Sequence, residues 1–126
     1  MKAIETTKAP KPIGPYSQGI QLDNLIFCSG QTPLDPETMQ ICSTDIVEQT
    51  KRTMENIGAI LKEGGSDYSK IVKTNIYLKN FADFERVNKV YESYLGEIKP
   101  ARRTVEVSRL PKDALVEIEC IAVVNK

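Results

Sequence analysis

Histidine is absent from all 126 residues. It is the usual general base near neutral pH and the commonest nitrogen ligand of zinc. Ser-His and Cys-His catalysis and His-ligated zinc are therefore excluded. Any chemistry must run on carboxylates, arginine, tyrosine, hydroxyls, backbone groups and water. Cysteine is scarce: Cys28, Cys42 and Cys120 are odd in number, widely spaced and form no C-x-x-C pair. That pattern argues against a disulfide framework or a structural zinc site. The cysteines are expected to be reduced, with Cys28 and Cys120 packing as small hydrophobes. An excess of either charge is also missing, since 17 basic residues cancel 17 acidic ones. Nucleic-acid binders more often carry a basic surplus, so nucleic acid is an unlikely partner. No run approaches the ~18 consecutive apolar residues of a membrane span. The opening MKAIETTKAPKP lacks the apolar core of a secretory signal. A soluble, cytoplasmic protein without a membrane partner is expected. With no repeat, linker or low-complexity tract, residues 1–126 read as a single domain.

What is present reads as alternating strands and helices. Residues 2–6 form a short strand, followed by a loop dense in Pro10, Pro12, Gly14 and Pro15 that holds Tyr16 stiffly at its end. Strands over 18–22 and 25–30 flank a turn at Asp23-Asn24, and Ser29-Gly30 ends the second. A helix is predicted over 45–63. Asp45 caps it, Ile46, Thr50, Met54, Ile57 and Leu61 form its buried stripe, and Gly64-Gly65 stop it. The strand 71–79 places Val72, Thr74, Ile76 and Leu78 on one face. A second helix, 82–95, buries Phe84, Val87, Tyr91, Tyr94 and Leu95. Asn88 falls on that same stripe, where an amide needs a partner.

The chain ends in two strand-like runs, 101–110 and 115–124, read as a hairpin. Both carry charge among β-formers. Glu117 and Glu119 share a face with Leu115, Ile121 and Val123, where an unpaired carboxylate is costly. An arginine on the neighbouring strand is the expected partner. The order β-β-β-α-β-α-β-β predicts an α+β fold: one mixed six-stranded sheet with both helices on one face. The other face is then left open, which predicts a closed homo-oligomer.

Several blocks, in order, carry a family resemblance: I-G-P-Y-S-Q-G (13–19), F-C-S-G-Q-T-P (27–33), V-K-T-N-I-Y-L (72–78), F-E-R-V-N-K-V-Y (84–91), P-A-R (100–102) and R-L-P-K-D-A-L-V-E-I-E (109–119). Over nearly its whole length the chain resembles the RidA/YjgF family, the reactive intermediate deaminases. The resemblance implies a chorismate mutase-like fold and a trimeric barrel with ligand clefts between subunits. It also implies hydrolysis of 2-imino and 2-enamino acids, 2-aminoacrylate and 2-iminopropanoate above all, to 2-keto acid and ammonia, with no cofactor and no metal. Carried over residue by residue, Arg102 binds the substrate carboxylate and Glu117 positions water. Tyr16, Ser29, Gly30, Asn88 and Thr104 contact substrate, and Ser29 and Gly30 are candidate donors to the developing tetrahedral centre. Two departures stand out. Arg103 replaces the small residue that many relatives carry, and Thr104 replaces a cysteine, which points to tuning of substrate preference. Glu119 reads as a framework or interface charge. The rival functions are a non-catalytic keto-acid sensor, an endoribonuclease or translation inhibitor, and a chaperone-like surface. Without histidine, basic surplus or basic-aromatic platform, RNA chemistry has little support here.

Overall fold

The computed structural model describes residues 1–124 of the chain. Six strands form one sheet: β1 (Lys2–Ile4), β2 (Gly19–Leu22), β3 (Leu25–Gln31), β4 (Ile71–Leu78), β5 (Ala101–Glu106) and β6 (Val116–Val123). Two α-helices, α1 (Ile46–Glu63) and α2 (Phe84–Leu95), cover one face of it. Short 3₁₀ turns lie at Tyr68–Lys70, Phe81–Asp83 and Pro111–Asp113. The α+β architecture, the mixed sheet and the element order are those expected.

Strand order is the one large surprise. The sheet runs β1-β2-β3-β6-β4-β5, so β5 and β6 do not form a hairpin. β4 lies between them, parallel to β5 and antiparallel to β6. The physical reason is visible in the strands themselves. In β6, Val116, Ile118, Cys120 and Ala122 are almost fully buried, a strand suited to the sheet centre, where both edges are paired. β5 carries Arg102, Arg103 and Glu106, all exposed, and charge of this kind belongs on an edge. The parallel β4–β5 pairing needs a long crossover, and α2 supplies it. The connection from β5 to β6 is too long for a tight turn and passes round the sheet end through buried Leu110.

A smaller correction falls on β4. Val72 was expected in the core but is 46% exposed, whereas Ile71 is 4% exposed. A register shift between Ile71 and Lys73 flips the alternation, after which Thr74, Ile76 and Leu78 point inward as predicted.

α1 begins where Asp45 accepts a hydrogen bond from the Glu48 amide at 3.0 Å. It ends at Gly64, and the left-handed residue that turns the chain away is Gly65, φ +80°. Ile57, Ile60 and Leu61 of α1 and Val87, Tyr91 and Leu95 of α2 pack on the inward side chains of β3, β4 and β6. Cys28 and Cys120 face each other across β3–β6 inside this core, while Cys42 is exposed.

The opposite face of the sheet has no helix over it. Phe27 and Leu22 are 40% and 47% exposed there. Around them stand Tyr77, Asn75, Arg103, Glu117 and Glu119, a face that is apolar at one end and charged at the other. Among the described residues no helix is long and apolar enough to cross a membrane.

Candidate functional site

The expected site residues separate into two groups. Arg102, Thr104 and Asn88 stand on the helix side of the sheet's edge. Glu117, Gly30 and Tyr16 gather on the other face, near the end of β3.

Arg102 projects from edge strand β5 over α2. Its guanidinium lies 5.5 Å from the ring centre of Phe84 and 5.4 Å from that of Tyr91. Both distances are within cation–π range. Nη1 donates to the Asn88 side-chain oxygen at 2.7 Å, which explains the amide on the apolar stripe of α2. Tyr91 is fixed in turn by a 2.7 Å hydrogen bond to the Thr74 hydroxyl on β4. The guanidinium is thus stacked and oriented, yet among the described residues it pairs with no carboxylate. It lines an open cavity of about 370 Å³ shared with Asn88, Tyr91, Lys99 and Pro100. Two residues along, the buried Thr104 hydroxyl has no hydrogen-bond partner among the described residues.

Glu117 points from β6 into a small cavity of about 80 Å³ shared with Tyr16, Gly30, Thr32, Lys11 and Lys112. It forms no ion pair among the described residues. Burial, and behind it the charge of Glu119, raises its carboxyl above the ordinary value of 4.5. Gly30 makes room for it: a Cβ built there would lie 2.5 Å from Glu117 Oε2. Ser29 does not line this cavity. Its hydroxyl donates to the Ser17 carbonyl at 2.6 Å and its amide to the Gln18 carbonyl at 2.9 Å, tying the Tyr16 loop to β3.

Arg102 and Glu117 are therefore not partners across neighbouring strands. In register, Arg102 stands beside Thr74 and Thr74 beside Cys120, three residues from Glu117. Two strand spacings and three strand rises put the Cα atoms roughly 14 Å apart, with the side chains on opposite faces. The expected pairing within one chain fails because β4 intervenes.

Three amides that the sequence reading did not single out fix the loops and strand ends around the site, two of them, Gln18 and Asn56, by holding residues that line the Glu117 cavity. Gln18 is 2% exposed; it accepts from the Thr6 amide at 2.7 Å and donates to the Pro10 carbonyl at 2.9 Å, shaping the proline-rich loop. Asn56 of α1 donates to the carbonyls of Thr32 and Leu34. Gln49 of α1 accepts from the Leu115 amide at 2.8 Å, fixing the entry to β6. The signal was present: Gln49 and Asn56 lie on the buried side of α1, where an amide must have a buried partner. Among the described residues no group of three or more His, Cys, Asp or Glu side chains could hold a metal.

On the same face, two residues beyond Glu117, Glu119 accepts a hydrogen bond from the Tyr77 hydroxyl and a longer one, 3.5 Å, from the Asn75 amide. The Tyr77 hydroxyl is pushed up to about 12, first by donating to Glu119 and then by burial.

Comparison with known proteins matches this arrangement to one family. The model of the family described as endoribonuclease L-PSP matches residues 6–124. A RutC family protein of Pyrococcus abyssi is 59% identical over 121 residues, covering 96% of this chain and 95% of the relative. The 2-iminobutanoate/2-iminopropanoate deaminase of Mus musculus is 46% identical, covering 97% of this chain and 90% of the relative. Among solved structures, TdcF of E. coli with bound serine superposes with a TM-score of 0.95 at 40% identity, covering 99% of this chain and 100% of that one. On these matches the chain belongs to the endoribonuclease L-PSP family, which is the RidA/YjgF family.

Proposed function

We propose that this protein hydrolyses reactive 2-imino and 2-enamino acids, 2-iminopropanoate and 2-iminobutanoate among them, to the 2-keto acid and ammonia. The observation that carries the reading is complementary: a stacked, oriented guanidinium and a half-buried carboxylate, neither of them in an ion pair among the described residues. An arginine held in this way grips a carboxylate through two parallel hydrogen bonds and keeps its charge at every working pH. A carboxyl raised toward neutrality takes up and returns a proton readily. Two relatives bear deaminase names, the mouse protein and the chloroplastic reactive intermediate deaminase of Arabidopsis thaliana, at 46% and 47% identity.

The two groups of one chain face different cavities, so the complete site is proposed to form between two copies. The open sheet face, with Phe27 and Leu22 exposed, is the surface that a closed trimer would cover. Arg102 of one copy then anchors the substrate carboxylate, and Glu117 of the next faces C2. Water adds to C2 of the iminium and loses a proton to Glu117. Glu117 returns the proton to nitrogen, the C–N bond breaks, and the hydroxyl proton leaves with ammonia as ammonium. The iminium is electrophilic by itself, so a positioned water and one proton shuttle suffice.

The test generates 2-aminoacrylate from serine with a dehydratase and follows imine loss by semicarbazide trapping. Wild type accelerates loss, while Arg102→Ala and Glu117→Gln each abolish the acceleration. Refolding the two variants together restores both groups at roughly a quarter of the sites of a randomly mixed ring. Well-folded wild type without acceleration would overturn the enzyme reading; saturable keto-acid binding in that sample would make it a sensor. Inactive mixtures beside an active wild type would overturn the shared site alone.

A further inference from the structure

Glu119 is the remaining charged group on β6, and its surroundings differ from those of a surface ion pair. Its carboxylate is met by two neutral donors, the Tyr77 hydroxyl and the Asn75 amide, both on the neighbouring strand β4. Arg103, one strand further on in register with Asn75, forms no ion pair with it among the described residues. Neutral donors of this kind orient a carboxylate without pairing its charge. The charge is also fixed in place, because both donors are held by the β4–β6 ladder. Along β6, Glu117 and Glu119 share a face with Cα atoms roughly 6–7 Å apart. Tyr77 is in register with Glu117 and reaches past it to Glu119.

We propose that Glu119 is a positioning residue that acts through Glu117: clamped by Tyr77 and Asn75 two residues along the same face of β6, it holds a carboxylate beside the Glu117 proton shuttle. This rests on the reading of Glu117 as the proton shuttle. The groups that face Glu117 are Glu119 on its own strand, Tyr77 and Asn75 on β4, Arg103 on β5, and Tyr16, Lys11 and Lys112 from the loops. Of these, Glu119 is the negative charge, and after burial it is the influence that raises Glu117. Neither lysine offsets it: the Lys112 ammonium turns away to the Met39 carbonyl at 3.4 Å, and Lys11 is exposed. Tyr77 and Asn75 thus act as a holder for an electrostatic setting.

The deciding measurement is a carbon-13 NMR titration of the Glu117 carboxyl in wild type, Glu119→Gln and Glu119→Asp, at matched oligomeric state. Glutamine keeps the size and accepts from Tyr77 without charge, and aspartate keeps the charge. Glu117 should titrate at lower pH in Glu119→Gln and stay near wild type in Glu119→Asp. The acid limb of the kcat/KM profile for imine hydrolysis should move down in pH with it. A Glu117 titration unchanged in Glu119→Gln would overturn the proposal. If Glu119→Gln does not fold, Glu119→Thr, a β-former without charge, decides in the same way. The titration needs no turnover, so an inactive wild type would sink the deaminase reading while leaving this coupling to be decided by NMR.

Discussion

A methyl group added at Gly30 would point at the Glu117 carboxylate. The built Cβ lies 2.5 Å from Oε2, 3.0 Å from Cδ and 3.4 Å from Cγ. To reach an ordinary van der Waals distance the oxygen must retreat by about 0.9 Å. Gly30 is not among the residues with positive φ, so alanine meets no backbone strain. The neighbour that must move is the end of a flexible side chain, not backbone. Stability should therefore hold, or rise by about 0.4–1 kcal/mol through the stiffer unfolded chain. Function should not hold. A misplacement of about 1 Å costs on the order of 10²-fold in rate, near 2.7 kcal/mol of transition-state stabilisation. The assay is semicarbazide-trapped imine loss for wild type, Gly30→Ala, Glu117→Asp and the double variant, beside thermal unfolding of each. Shortening Glu117 by one methylene opens the space that the alanine methyl takes. The double variant should therefore lose less than the two single losses combined, a coupling measured by the cycle. Gly30→Ala with activity within about threefold of wild type and unchanged melting would refute the claim that carboxylate position carries the rate.

Glu117→Gln should be inactive yet no less stable than wild type at neutral pH. The folded-state carboxyl is raised, so ionised Glu117 costs stability above its ordinary value of 4.5, and the cost is fully present once pH passes the raised value. The melting advantage of the variant should shrink as pH falls toward 4.5, which calorimetry across that window checks. Gly58→Ala should destabilise by about 1 kcal/mol net, overpacking outweighing the gain in helix propensity. Its Cβ would lie 2.6 Å from Tyr68 Cζ and push the ring off its 2.8 Å hydrogen bond to the Met54 carbonyl; urea unfolding reads the loss.

Much of this molecule was legible in the chain itself, because the relevant physics is local. The 3.6-residue stripe and the Asp45 cap placed α1 to within a residue of its observed start. The alternation over 115–124 marked a strand with Glu117 and Glu119 on one face, observed as β6, Val116–Val123. Asn88 on an apolar stripe called for a partner, found in Arg102. The absence of histidine alone confines the chemistry to carboxylates, arginine, tyrosine, hydroxyls, backbone groups and water.

Strand order was decided only in three dimensions. The charge of β5 suits an edge and the apolar face of β6 suits the centre, but nothing within either strand places β6 on the far side of β4. That choice depends on which edge the whole sheet must bury. The flip at Ile71 likewise comes from a register shift against β6 that β4 alone does not encode. The walls of the Glu117 cavity rest on Gln18 holding Pro10 and Asn56 holding Thr32 and Leu34, contacts between separate segments of the chain. Residue types and faces follow from short-range periodicity. The separation of Arg102 from Glu117 follows from long-range pairing, in which the burial of every strand is settled at once.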